Sequence, residues 1–154
     1  MKMKNEKVIE VLNSLITINN DRIEGYDTAS KETKESELIN LFAQNILTSN
    51  KCKHELVMEV NKLGGQKADG TLVAGKFFRV WMDVKAALTG DDRKTILNSC
   101  ETGEDHAVET YNKVLENDLE YLNIEQRIMI TGQRSLLKAD HNHIKSLRDA
   151  LVKA

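Results

Sequence analysis

The chain has 154 residues, and its 24 acidic residues nearly balance its 22 lysines and arginines, leaving a net charge of −2. That balance gives no electrostatic reason to expect nucleic acid, whose binding needs a basic face. No stretch approaches the ~18 consecutive apolar residues of a membrane span. We therefore expect one soluble, cytoplasmic domain over residues 1–154. The complete absence of proline favours long helices, because proline removes a backbone donor and clashes with the preceding turn.

Two amphipathic helices are predicted in the first part of the chain. From Val8 to Tyr26, apolar residues recur every three or four positions, and Asn19 and Arg22 fall on the same stripe. A second stripe, over about residues 36–63, also carries polar and cysteine side chains. It ends at two glycines, Gly64 and Gly65, a natural helix stop because glycine tolerates the left-handed conformation.

Two more helices are predicted in the second part, over about residues 93–117 and from about residue 124 onward. Short links within each pair of helices predict antiparallel neighbours. The link between the pairs is about 27 residues, long enough to return along the bundle so that the third helix starts beside the second and runs the same way. Two hairpins joined by one long crossover make the all-α, ferritin-like four-helix bundle.

The two cysteines, Cys52 and Cys100, both fall on apolar helical stripes. Free cysteine at such positions behaves as a small buried hydrophobe, so burial is the interpretation we favour. A redox pair on neighbouring helices is the alternative.

Three of the chain's seven aromatic residues, Phe77, Phe78 and Trp81, lie within five positions of one another in the crossover. Phe77 and Trp81 share the apolar face of a short helix, which predicts a fifth helix sealing the side of the bundle with Trp81 as its anchor. Phe78 lies off that face. If Phe78 is exposed, the three aromatics form an interaction patch for a protein partner or a membrane surface. Of these two, we favour the protein partner.

The segment that holds these aromatics, VAGKFFRVWMDVKAALTGDD, closely resembles the crossover signature of a bacterial family of uncharacterised four-helix-bundle proteins in the ferritin-like superfamily. Its most specific part is WMD-x-KAALTG-x-D. The segments LNSLITINNDRIEGY, ELVMEVNKLGG, CETGEDHAVETY and HIKSLRDA resemble the same family in order, over about residues 12–150. The resemblance implies a fold. It implies no catalytic residues, because the family has no agreed activity.

Ferritin-like bundles that bind two irons use a glutamate on two helices and Glu-x-x-His on the other two, all pointing inward. Here the second helix fails this test, since its inward positions are Asn45, Ser49 and Cys52 and His54 faces away from the stripe. The first helix offers Asn19 and Arg22 inward, and its Glu24 lies on the outer side.

The third and fourth helices offer half a site. Glu104 lies at the edge of the inward stripe, and Asp140 and His143 have the acid-x-x-His spacing near the apolar face. His141 points more sideways. We expect a polar network with no cofactor, in which the side chains of four residues hydrogen-bond to one another: Asn19, Arg22, Glu104 and Asp140. Iron or another divalent metal bound by Glu104, Asp140 and His143 is the alternative.

Three functions remain open. The favoured one is a non-catalytic interaction or stress-associated module, which we expect to be a homo-oligomer, with a dimer inferred only because small bundles often pair. The second is a degenerate metal-binding bundle. The third is docking to a partner or a membrane surface through the crossover helix.

Overall fold

The computed structural model describes residues 2–68 and 93–152, with side chains for residues 4–68 and 93–151. Within these ranges the chain forms four long helices, α1 Lys2–Glu32, α2 Ser36–Lys62, α3 Arg93–Asn117 and α4 Ile124–Val152. A short 3-10 turn, Leu119–Tyr121, precedes α4. The predicted all-α fold is confirmed. The predicted fifth helix and the interaction patch of Phe77, Phe78 and Trp81 lie outside the described residues.

Hydrogen bonds between the helices fix their directions. Gln126 bonds to Glu59 and Gln133 to Glu55, so α4 runs antiparallel to α2. Likewise, Arg22 meets Glu104 and Asn19 meets Tyr111, so α1 runs antiparallel to α3. Since α1 and α2 are also antiparallel, α2 and α3 point the same way, as the length of the crossover predicts.

The two helix ends that the crossover joins lie at opposite ends of the bundle. After α2, the chain passes over α1, where Asn13 donates to the carbonyl of Gln66 at 2.9 Å and accepts from the amide of Ala68 at 2.8 Å. At the other end, Arg93 begins α3 beside the α1–α2 turn and pairs with Glu35 at 2.8 Å. The predicted two-hairpin topology therefore holds for the described part of the chain.

Local sequence explains where two helices end. Gly64 follows α2 with a φ of 80°, and its amide bonds to the carbonyl of Asn61. Glycine reaches this left-handed conformation without the steric cost that a Cβ brings, so α2 stops there as predicted. At the start of α4, the side chain of Asn123 accepts from the amide of Gln126 at 2.8 Å, while Gln126 accepts from the amide of Asn123 at 2.9 Å. This reciprocal pair is a capping box.

The core lies between all four helices and is made mainly of aliphatic side chains. Both cysteines, Cys52 and Cys100, are buried free thiols, which confirms the sequence interpretation. The packing is uneven, because α2 packs extensively on α1 but meets α4 sparsely. No helix in the described part of the chain is both long and apolar enough to cross a membrane. Fully buried members of the core include Leu12, Leu15, Ile16, Leu38, Phe42, Leu56, Ile96, Leu97, Ile130 and Ile144.

Candidate functional site

The centre of the bundle holds a buried arginine. Arg22 lies midway along α1 on the stripe that faces the other helices, and its side chain is 0% exposed. A guanidinium carries five donors and stays charged at any pH that a protein survives, so its burial is tolerated only where acceptors and negative charge surround it.

Each of the other three helices supplies one acceptor to Arg22. From α3, Glu104 Oε1 accepts from Nε at 2.9 Å and from Nη2 at 2.7 Å. From α4, Asp140 Oδ2 accepts from Nη2 at 3.0 Å. From α2, the hydroxyl of Ser49 bonds to Nη1. The guanidinium therefore ties all four helices together at one level of the bundle.

Tyr26 extends this cluster by one turn of α1. Its hydroxyl donates to Glu104 Oε1 at 2.5 Å, its ring packs on Phe42, and the guanidinium of Arg22 lies 5.5 Å from the ring centroid. The carboxylate of Glu104 is thus held by two residues of α1. Its other oxygen, Oε2, is buried without a hydrogen-bond partner among the described residues.

A second polar chain crosses the bundle beside the first. Asn19 donates to the hydroxyl of Tyr111 at 2.9 Å, and that hydroxyl donates to Gln133 at 2.6 Å. Gln133 then donates to the backbone carbonyl of Cys52 at 3.1 Å and to Glu55 at 3.0 Å. Asn19 therefore bonds to this chain, whereas the sequence suggested that it would join Arg22, Glu104 and Asp140.

Burial and charge act in opposite directions on these groups. Burial raises the pKa of Glu104 above its usual value, against the lowering effect of Arg22 and of the hydrogen bond from Tyr26. Burial also raises the pKa of Asp140, again opposed by Arg22. For Arg22, burial lowers the pKa, but the nearby Glu104, Tyr26 and Asp140 more than offset it, so its pKa is above the usual range. The guanidinium remains a permanent cation.

The predicted metal ligands are brought together only in part. Glu104 and Asp140 meet on the same nitrogen of Arg22, as expected for a polar network. His143, one turn further along α4, has an exposed side chain. A metal bound by these three residues stays a prediction. His54 and Glu24 are exposed, as predicted.

The centre does not fit a di-iron site as it is folded. Such a site needs carboxylate or imidazole ligands from all four helices, and here α1 contributes a guanidinium and α2 a hydroxyl. Arg22 also lies where its positive charge would repel a metal ion held by Glu104 and Asp140. The unpartnered Oε2 of Glu104 is a single ligand atom, too few for such a centre.

Sequence reasoning missed two members of the site, Tyr26 and Tyr111. Both lie on apolar stripes, and a tyrosine there is hard to distinguish from a core aromatic. The available signal was their hydroxyl groups, which need partners when buried, together with the position of Tyr26 one turn after Arg22 on the same stripe of α1.

The family assignment rests on a sequence match over residues 7–117, which spans α1 to α3 and the crossover. The chain belongs to the family described as domain of unknown function (DUF2383). No protein of curated function matches the sequence.

A solved structure extends the comparison over the whole chain. A crystal structure of ferritin-like, diiron-carboxylate proteins from Bacillus anthracis str. Ames superposes with a TM-score of 0.67, covering 98% of this chain and 99% of that chain at 18% identity. At that identity the likeness concerns the fold alone. It confirms the ferritin-like bundle predicted from the helices and the crossover.

Proposed function

We propose that this member of the family is a non-catalytic interaction module, in which Arg22 takes the structural place that metal ions have in a di-iron bundle. The observation that carries the proposal is the bonding of its guanidinium to Glu104, Asp140 and Ser49 from the other three helices. A permanent cation balances the buried acids and holds the helices together. Unlike a metal ion, it offers no open coordination position for a substrate.

The interaction surface in this proposal is the seam between α2 and α4. An open groove of about 350 Å³ lies there, lined by residues of both helices. Gly132 contributes to the opening, since a Cβ built at that position meets no atom within 4 Å.

Large apolar side chains are exposed along the same seam. These side chains form two rows, one along α2 and one along α4, in which the residues recur at helical spacing. Ile128 is 66% exposed and Leu136 is 39% exposed, and both line the groove. Exposed apolar rows on adjoining helices are typical of an interaction site. The members of the two rows are Leu47 and Met58 on α2 and Ile124, Ile128 and Leu136 on α4.

The occupant that we propose is a second copy of this chain. Lys51 and Glu55 carry opposite charges one helical turn apart in the groove. In a two-fold dimer each residue faces the equivalent surface of the partner, so Lys51 of one copy can meet Glu55 of the other. A surface with paired opposite charges and apolar rows is complementary to itself.

Sedimentation equilibrium tests this proposal. The wild-type protein is expected to be a dimer at micromolar concentration, and the double variant Ile128→Glu/Leu136→Glu a monomer, because four charges would then face an apolar surface. The matched control is Leu119→Glu, which changes an apolar side chain 37% exposed outside the seam and should leave the dimer intact.

Charge reversal adds a sharper test of the two-fold arrangement. Lys51→Glu should weaken the dimer by placing like charges together, and the swap Lys51→Glu/Glu55→Lys should restore it. A monomeric wild-type protein would contradict self-association. A dimer unaffected by the changes at Ile128 and Leu136 would contradict the choice of surface.

A further inference from the structure

A second polar cluster lies at the junction of α3 and α4, apart from the Arg22 network. Glu101 and Asp105 are one turn apart on α3, and His141 faces them from α4. One oxygen of each carboxylate and a ring nitrogen of His141 all lie within 4.8 Å of one another. His141 is only 7% exposed, whereas the side chain of Asp105 is 61% exposed. The cluster therefore has a buried end at His141 and a solvent-exposed end at Asp105.

One ring nitrogen of His141 is buried without a hydrogen-bond partner in the described part of the chain. Its Nδ1 lies 3.2 Å from the side-chain oxygen of Asn142. Its Nε2 faces the acids and lies 2.5 Å from Asp105 Oδ1, but it forms no hydrogen bond of acceptable geometry with the described residues. A buried ring nitrogen without a partner, placed beside two carboxylates, is a donor set that a metal ion can take.

The surrounding charge also favours a cation. Arg148 of α4 forms an ion pair with Glu101 and a second one with Asp149. The three carboxylates of Glu101, Asp105 and Asp149 have one guanidinium among them, that of Arg148, so negative charge exceeds positive charge around the cluster. A metal ion at the cluster would compete with Arg148 for the carboxylate of Glu101.

We propose that Glu101, Asp105 and His141 bind a divalent first-row transition metal ion of the zinc type. Imidazole and carboxylate are ligands that such ions accept. With the ion on Nε2, the proton of His141 lies on Nδ1, where the side-chain oxygen of Asn142 can accept it, and metal-bound histidines usually have such an outer partner. A tetrahedral ion with bonds of about 2.0–2.2 Å has its ligand atoms roughly 3.4 Å apart. Side-chain rotations that move the ligand atoms by about 1 Å would bring the three residues to that spacing. The exposed side chain of Asp105 leaves a path for entry and a position for water.

Calorimetric titration of the full chain with zinc chloride at pH 7.5 tests the site. One ion per chain is expected, and Asp105→Asn and His141→Gln should each weaken its binding by about tenfold or more. Because Asp105 is largely exposed, Asp105→Asn keeps the fold even if His141→Gln disturbs the junction. Arg148→Gln should tighten binding by removing the competing cation. The matched control is His54→Gln, which removes an exposed histidine on α2 and should change nothing.

Cobalt(II) provides a second readout that does not depend on heat. Binding at the cluster should give visible absorption bands that disappear in Asp105→Asn. The proposal is overturned if zinc does not saturate at one equivalent, or if Asp105→Asn binds as tightly as wild type. It is also overturned if His54→Gln abolishes the binding. A cluster in which His141 and the two acids contact only one another would give the first of these results. None of these outcomes depends on whether α2 and α4 form a dimer interface.

Discussion

Arg22 decides how the centre of this molecule is stabilised. Moving a charged side chain out of water costs several kcal/mol, and the cost is met here because the guanidinium bonds to Glu104, Asp140 and Ser49. The sequence could predict Arg22, Glu104 and Asp140 as a network, because all three lie on or beside apolar stripes. It could not predict that Asn19 would leave that network for Tyr111, since the choice depends on the relative rotation of α1 and α3.

Replacing Arg22 with methionine should strongly destabilise the fold. The variant leaves Glu104 and Asp140 without their counter-charge, and breaking a buried ion pair in this way costs about 3–5 kcal/mol. Urea denaturation followed by circular dichroism measures the loss of unfolding free energy. Arg22→Lys keeps the charge but loses the forked geometry, so its stability should lie between those of the wild type and Arg22→Met. The matched control is Lys31→Ala, which breaks the exposed pair with Asp27 and should cost less than about 1 kcal/mol.

The same variant should depend on pH in a defined direction. Burial raises the pKa of Glu104 and of Asp140 even with Arg22 present. Replacing Arg22 removes the charge that lowers both pKa values, so both should rise further. When the pKa of a carboxyl group is higher in the folded state than in the unfolded state, where it is about 4, the protonated group favours the folded state. This contribution to stability is complete below the pKa of the unfolded state and is lost as the pH rises through the pKa of the folded state. The deficit of Arg22→Met relative to wild type should therefore be greatest at neutral pH and shrink near pH 5. An equal deficit at both pH values would mean that the two acids are not the cause.

The two thiols should be inert in the folded protein. Burial raises the pKa of Cys52 to about 11 and holds the pKa of Cys100 well above its usual value, so neither forms a thiolate near neutral pH. Ellman's reagent at pH 8 should detect no thiol in the native state and two after unfolding in guanidinium. Cys52→Ala should lower the second number to one. A native thiol reacting as fast as free cysteine would contradict the burial and revive the redox alternative.

The helices owe their boundaries to a few residues at their ends. The glycine pair after α2 was readable from the sequence, because Gly64 supplies a conformation that few residues adopt. The capping box of Asn123 and Gln126 has a recognisable spacing, but it follows a 3-10 turn whose extent the apolar pattern does not reveal. The sequence therefore predicts the presence of α4 more accurately than the residue at which α4 begins.

Asn123→Ala should reveal the value of that box. The variant leaves the amide of Gln126 without its side-chain acceptor at the start of α4, and the loss of an N-cap typically costs about 1 kcal/mol. Thermal denaturation should show a lower midpoint for Asn123→Ala and a smaller change for Asn123→Ser, which can still cap. Asn142→Ala is a poor control because Asn142 contacts His141, whereas Lys138→Ala alters an exposed position of the same helix. Equal stability of Asn123→Ala and wild type would show that the box adds little.

At the scale of the whole molecule, loop lengths carried most of the predictive information. Short links within each pair and one long link between the pairs leave few topologies, and the described helices have the predicted directions. The seam between α2 and α4 was not predictable in the same way. Leu47, Ile128 and Leu136 continue ordinary amphipathic patterns, and only the packing shows that they are exposed. The same holds for the Glu101, Asp105 and His141 cluster, whose members meet only because α3 and α4 lie side by side.

The most direct measurement is the metal content of untagged protein after anaerobic loading with ferrous iron, compared with the double variant Glu104→Gln/Asp140→Asn. If Arg22 replaces the metal at the centre, both proteins should retain the same amount of metal. Any ion that they do retain should be lost on Asp105→Asn, because it belongs to the cluster between α3 and α4. About two irons per chain in wild type, lost when Glu104 and Asp140 are changed, would contradict the structural role of Arg22 and place metal chemistry at the centre of the bundle.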